Sequence, residues 1–453
     1  MSAGLFTKIK HAYKLFKDID FDAFGKLAEK VDLPAVMKSV GQLDDAQLQG
    51  LMKMLTAGKK HKELPAIDGD FYDLSHILSP VDRELQLRVR HFMETEIQPI
   101  VNQYWLSSDF PHQIIPKLAE LNVCGLTYKG YGCAGLSHMA EGFIAMEMAR
   151  VDASIATFFG VQSGLAMGSI YLCGSEEQKQ EWLPAMQKFE KIGAFGLTEP
   201  EVGSGAAGGL TVTAKRNGDT WVLNGQKKWI GNATFSDVTV IWARDVDDNN
   251  VKGFLVRKGT PGFVADKIEG KMSLRIVQNA LITLTNCEVA ESDRLQNANG
   301  FKDTALVLRY TRAAVAWEAV GCARGAYEHA LKYTRQRKQF GRPIASFQLI
   351  QNHLVEMLSN LTAMQTMVFR LSQLQDSGEL TDEHASLAKV FCTLRTRDVV
   401  RGAREVMGGN GILLEYDVAR FVADAEAIYS YEGTKEINTL IVGRAITGYS
   451  AFV

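Results

Sequence analysis

This chain of 453 residues has no long apolar run, no cysteine pair and almost no net charge. A membrane-crossing helix needs about 18 or more consecutive apolar residues; none is found, so no membrane span is expected. The 6 cysteines stand apart, at 124, 133, 173, 287, 322 and 392. Without a C-x-x-C or a regular spacing they argue against a disulfide framework and for buried thiols in a reducing compartment. The 9 histidines are equally scattered, and no metal site is expected. A net charge of -2 excludes the basic footprint of a nucleic-acid binder. The first residues lack a secretory apolar core, and the ending "AFV" is neither a peroxisomal nor a retention signal. The expectation is a cytoplasmic protein.

What is present is length and apolar content. At 46% hydrophobic residues the chain can fill the cores of two or three domains. Residues 1–65 differ from the rest: through residue 62 they carry 11 Lys and no Arg against 7 Asp and Glu, a balance of +4. Leu5, Ile9, Tyr13 and Phe16 recur at helical spacing among Lys8, Lys10, Lys14 and Lys17, which predicts a helical appendage. Asp18, Asp20 and Asp22 follow directly, each offsetting the roughly 1 kcal/mol that a nearby Lys gains at an anionic membrane. Docking against the remainder of the chain is therefore expected. Residues 66–193 read as helical, with start signals at Ser79-Pro80 and Ser175. Over 194–300 the period changes to that of strands. "LTVTAKRNGDTWVLNG" predicts a hairpin turning at Asn217-Gly218-Asp219, and "DVTVIWAR", "VKGFLVRK" and "ALITLTNCEV" are further strands. Residues 301–453 return to long helices, broken at Gly341 to Pro343. The fold class is mainly α with a central β-domain.

Five stretches carry polar or glycine-rich chemistry. "FGLTEPEVGSGAAGG" (Phe195–Gly209) exposes backbone N–H groups and hydroxyls suited to a polar ring or a phosphate, although its spacing fits neither a P-loop nor G-x-G-x-x-G. "NGQKKWIGN" places Trp229 at the end of a strand, where its face could lie against a flat cofactor; alone it reads as half-buried surface. "RKQFG" and "EVMGGNG" offer a cation, Arg337, and exposed backbone for a pyrophosphate, whereas Arg337 alone reads as a surface ion-pair partner. In "YSYEGTKEINTLIVGRAITGY", Thr434 is an N-cap and Glu436 suits the first turn of the helix that follows. Glu432 stands just outside that helix, as an ordinary turn residue or as a carboxylate held at a fixed point.

In this order and separation, "GLTEP…GS", "NGQKKWI", "RKQFG", Gln348, "GGNG" and "YEGT" resemble the acyl-CoA dehydrogenase family, from about residue 71 to the C-terminus. The resemblance implies a helical domain, a β-barrel-like middle domain and a C-terminal four-helix bundle, assembled as a homotetramer. It implies FAD as cofactor, an acyl-CoA substrate and an electron-transfer flavoprotein or similar acceptor. Glu432 matches the family's α-proton base, and Gly433 lets the backbone approach the ligand. Phe195, Leu197, Thr198, Ser204, Trp229, Ile230 and Gly231 match the flavin side. Arg337, Gln339, Phe340, Gln348, Met407, Gly408 and Gly409 match the adenosine and pyrophosphate side, contributed by a neighbouring subunit; Thr434 and Glu436 match further flavin contacts. Ser204, Ala156, Thr157, Leu308, Arg312, Tyr431 and Gly433 fall at substrate-binding positions.

Three departures bear on substrate and acceptor. "KGYGCAGLS", "CGSEEQ" and "NTLIVGRAITG" look like glutaryl-CoA dehydrogenases, but Ala156 and Thr157 stand where those enzymes have an Arg-Ser pair for the distal carboxylate. Burying a carboxylate without its cation costs several kcal/mol, so a short monocarboxylic acyl-CoA is expected and glutaryl-CoA is the second alternative. "RVDAS" and "NGQK…WIGN" also resemble a plant short-chain acyl-CoA oxidase. Gly231 stands where most dehydrogenases have a Thr, and Arg309 where an Asp is usual. An oxidase that passes electrons to oxygen thus remains the first alternative. A flavin-bearing interaction protein is the non-enzyme reading, opposed by the intact "YEGT".

Overall fold

The computed structural model of the protein describes residues 64–451 together with Asp44 and Gln47. The appendage expected over 1–65 lies almost wholly outside the described residues, and the fold below is that of the unit Ile67–Val453. Helices α1 (Pro80–Phe92), α2 (His138–Val151), α3 (Ala153–Gly160), α4 (Met167–Cys173) and α5 (Glu176–Gln187) form the N-terminal layer. Both expected start signals act as such. Ser79 accepts from the Asp82 amide with Pro80 in the first position, and Ser175 forms a reciprocal capping box with Gln178. The stretch Ala153–Cys173 is apolar and long enough to cross a bilayer by composition, but 67% of its most apolar window is buried inside the protein. It is a core helix.

The middle region is one curled seven-stranded sheet: β1 (Gly193–Gly196), β2 (Thr213–Asn217), β3 (Thr220–Ile230), β4 (Val238–Asp245), β5 (Val251–Arg257), β6 (Phe263–Lys267) and β7 (Ala280–Ala290). The strand order is β1-β4-β2-β3-β7-β6, with β5 also on β4. The β2–β3 hairpin pairs Asn217 with Thr220 across Gly218, whose φ of +61° the tight turn requires. Between Lys227 and Ile230 the β3–β7 register slips. Such an irregularity re-aims side chains, and Trp229 sits in it with φ +68°.

The C-terminal layer contains α6 (Phe301–Gln336), α7 (Gln348–Asp376), α8 (Asp382–Val406), α9 (Val418–Ser430) and α10 (Lys435–Thr447). Helix α6 lies so close on α2 that a Cβ at Gly321 would stand 2.3 Å from the Met146 carbonyl. The break after α6 is a two-residue hairpin, Lys338–Gln339 against Arg342–Pro343, turning on Phe340 and Gly341, both with positive φ.

Candidate active site

Glu432 occupies the loop between α9 and α10, in the left-handed region at φ +54°. A non-glycine residue persists there only when its surroundings over-determine it, and they do. The Arg312 Nε donates to the Glu432 carbonyl at 3.4 Å, and Lys389 Nζ and Asn438 Nδ2 each donate to the Gly433 carbonyl at 2.8 Å. Thr434 caps α10 by accepting from the Ile437 amide, as its sequence position implies. The Glu432 side chain turns inward, where Thr311 Oγ1 donates to its carboxylate at 3.1 Å. Burial pushes its pKa up, while the nearby Arg312, the Thr311 bond and Lys389 hold it down. A carboxylate so placed, half-buried and with its pKa raised, can act as a Brønsted base.

Of the expected substrate-side residues, Arg312 bonds the Glu432 loop directly, and Tyr431 and Gly433 flank Glu432 in the chain. Thr157 and Ala156 lie on α3, whose start is fixed by Asp152: its carboxylate accepts from the Ile155 amide and pairs with the buried Arg420 at 2.6 Å. Ala156 is buried in the apolar core. Leu308 and Arg312 lie on α6, the former half-buried against the N-terminal core. Arg309 is engaged by Asp382 at 2.7 Å. Thr157 and Tyr431 converge on a residue that the motif reading does not include, Glu318, each with its hydroxyl 2.7 Å from the carboxyl. Lys389 was equally unread. Both are charges set in apolar stretches, "AAVAWEAVG" and "ASLAKVF", and that isolation is the signal that marks them.

A second group assembles at the mouth of the sheet. Thr198 Oγ1 donates to the Lys228 carbonyl at 2.6 Å, which places "GLTEP" beside "KKWI". Trp229 is 54% exposed, large for an aromatic of that size, while Ile230 is packed in the sheet's core. Gly231 is walled in: a Cβ there would meet Val161 at 3.3 Å and Val277 at 3.5 Å. Phe195 and Leu197 are buried beneath, whereas Ser204 is exposed in a rim whose Gly203, Gly205 and Gly208 have nothing within 4 Å of an added Cβ. Below the rim lies a fully buried ion pair, Lys227 with Glu199 at 2.8 Å; Lys227 also donates to the Leu197 carbonyl. Helix α3 joins the two groups, since Thr157 faces Glu318 and the Phe158 carbonyl accepts from Asn232 just past Gly231. An exposed indole face above an open glycine rim fits a flat ring system carrying phosphates.

The third expected group lies elsewhere. Arg337, Gln339, Phe340 and Gln348 are exposed around the hairpin that ends α6, with Phe340 91% exposed. The loop with Gly408 and Gly409 joins them there, since Asn410 Nδ2 donates to Tyr333 OH at 3.0 Å; Met407 is buried in the helical core. Glu436 is exposed on the first turn of α10. From Thr311 to the end of α6 the helix rises about 38 Å. The hairpin group is thus remote from Glu432 within one chain.

Family models for the acyl-CoA dehydrogenase N-terminal, middle and C-terminal domains match residues 79–190, 194–287 and 298–447. A 3-(aryl)acrylate reductase of Clostridium sporogenes is 35% identical over 78% of this chain and 95% of its own length. The mouse mitochondrial short-chain specific acyl-CoA dehydrogenase is 31% identical over 81% and 90%. The crystal structure of a glutaryl-CoA dehydrogenase from Mycobacterium smegmatis in complex with FADH2 superposes with a TM-score of 0.82 at 36% identity, covering 84% of this chain and 98% of that one. These family models and relatives, matched along one fold of helices, curled sheet and helices, place the chain among the flavin-dependent oxidoreductases. Within that class the chain belongs to the acyl-CoA dehydrogenase family, and it is an FAD-dependent enzyme.

Proposed function

We propose that the enzyme desaturates short-chain monocarboxylic acyl-CoA thioesters at Cα–Cβ, with Glu432 as the base that takes the α-proton. The observation that carries this reading is the Glu432 carboxylate: half-buried, turned inward and bonded by Thr311. When bound, FAD supplies the hydride acceptor that no protein side chain can provide. The protein's part is to hold the thioester between Glu432 and the mouth of the sheet, exclude water and accept one proton. The Glu432 amide polarises the thioester oxygen and acidifies the α-proton. Thr198, Ser204, Trp229 and the glycine rim hold the flavin, and Arg312 steadies the loop through the Glu432 carbonyl.

Ala156, buried and uncharged, supports a monocarboxylic acyl group, because a distal carboxylate would find no cation there. Electrons leave to an external electron-transfer flavoprotein. An oxidase is the second reading, favoured by Gly231, which brings no hydroxyl to the flavin side. Anaerobic flavin bleaching by butyryl-, valeryl-, octanoyl- and glutaryl-CoA, followed by turnover with a dye or with oxygen, tests these assignments together. Bleaching is expected with butyryl- or valeryl-CoA and reoxidation by dye rather than oxygen. A preference for glutaryl-CoA, or release of carbon dioxide, would overturn the substrate; peroxide formed at the rate of turnover would overturn the acceptor.

A further inference from the structure

The acyl side of the site holds a second carboxyl. Glu318 lies on α6 two turns beyond Thr311, so the two share one face of the helix about 10 Å apart. Thr311 bonds Glu432 itself, while Glu318 meets the residue before it: the Tyr431 hydroxyl donates to Oε2 at 2.7 Å. The other oxygen, Oε1, is 2.7 Å from Thr157 Oγ1 on α3. Among the described residues these two hydroxyls are its hydrogen-bond partners, and no cation pairs with it.

The protons can be counted. Thr157 Oγ1 also lies 2.8 Å from the Ala153 carbonyl, and its single proton serves only one of its two neighbours. Both contacts are hydrogen bonds when Glu318 carries a proton on Oε1. The bonds then run from Glu318 to Thr157 and from Thr157 to the Ala153 carbonyl, with Tyr431 donating to Oε2. The charges around it agree. Glu432 faces it from the base loop and Asp152 from the start of α3, and each disfavours a further anion, whereas the Tyr431 hydroxyl donates to it. Burial pushes Glu318 up to about 7, against the pull of the Thr157 and Tyr431 bonds. A neutral Glu318 leaves Glu432 as the anion of the pair.

Glu432 needs support on both sides of its left-handed backbone. Lys389 and Asn438 hold the C-terminal side through the Gly433 carbonyl. On the N-terminal side, the Tyr431 side chain ties the loop to α6 through Glu318. We propose that Glu318 is a positioning residue of the reaction: a neutral carboxyl clamped between Thr157 and Tyr431 that fixes the loop carrying the base. The proposal rests on Glu432 being that base. Once ionised, Glu318 turns Thr157 toward itself and sets a second negative charge beside Glu432, so the productive form is lost as pH rises through about 7.

The test compares FAD-loaded, full-length wild type with E318A, E318Q and Y431F in anaerobic stopped-flow reduction by butyryl-CoA, on both sides of pH 7. E318A and Y431F are expected to slow reduction by about 10- to 10²-fold with FAD retained. E318Q, whose amide can donate to Thr157 and accept from Tyr431, should rescue most of that loss. It should also lack the fall in rate above neutrality that wild type shows. Independently of turnover, the infrared spectrum of the unliganded wild type should carry a protonated-carboxyl carbonyl band below pH 7 that E318Q removes. Wild-type rates in both E318A and Y431F, or an E318Q as impaired as E318A, would overturn the proposal, as would absence of that band. If no acyl-CoA reduces wild-type flavin, the proposed function fails first, and the infrared band still reports the state of Glu318.

Discussion

The charge on Glu432 is set by neighbours scattered through the chain. Thr311 and Arg312 come from α6, and Lys389 from α8 with a side chain that donates to the Tyr429 and Gly433 carbonyls. Burial brings Lys389 down to about 8, while Glu432 favours its charged form. A cation stabilises an ionised carboxylate, so removing it raises the proton affinity of Glu432 and leaves the base protonated over more of the pH range. Lys389→Met should therefore shift the rising limb of flavin reduction against pH to the alkaline side. It should also slow reduction at neutral pH by about 10-fold or more, because the loop loses two ties. A pH profile that superposes on wild type would show that Lys389 neither tunes nor holds the base. Glu432 could be singled out in the sequence because "YEGT" is local, and its role as base is the proposal made above. Glu318 and Lys389 could not be, because their partners lie 113 and 44 residues away, and only the fold reveals that those lone charges meet one site.

At the scale of elements, local signals survived and non-local ones did not. The β2–β3 hairpin was legible from Asn217-Gly218-Asp219, and the helix starts from Ser79-Pro80 and Ser175, since each is decided within a few residues. Strand β1 was not singled out, and the helical region was carried to residue 193, where the strand already begins. It is four residues long and buried throughout, so no alternation marks it, and it pairs in parallel with the distant β4. The ion pair beneath the glycine rim was hidden for the same reason. Glu199 accepts from Lys227, from Thr211 and from the Val212 amide, and this binds "GLTEP" to the sheet. Lys227→Met would leave that carboxylate buried without its cation, a loss of about 3–5 kcal/mol. Thermal unfolding of the FAD-loaded protein should fall accordingly, with cofactor released first. Unchanged stability would mean that Glu199 is neutral or that water reaches it.

At the scale of the whole molecule, a rise of about 38 Å along α6 separates Glu432 from the hairpin group at Arg337 and from the Gly408–Gly409 loop. Both groups can serve one cofactor if the second comes from another copy. We therefore expect the FAD-loaded enzyme to be a homotetramer in light scattering, and Arg337→Glu to weaken FAD retention without moving the base. An active, FAD-replete monomer would contradict this. The order of helical, sheet and helical regions was legible from the change of hydrophobic period, because it is a property of long segments. The homotetramer is implied by the family resemblance alone, because no hydrophobic period encodes a relation between copies.

The most direct measurement is single-turnover flavin bleaching by butyryl-CoA under anaerobic conditions, comparing wild type with Glu432→Gln at equal FAD content. Glutamine keeps the shape of Glu432 but cannot take a proton at its amide, so bleaching should slow by at least about 10²-fold while FAD stays bound. Bleaching of the variant at the wild-type rate would contradict the assignment of Glu432 as the base.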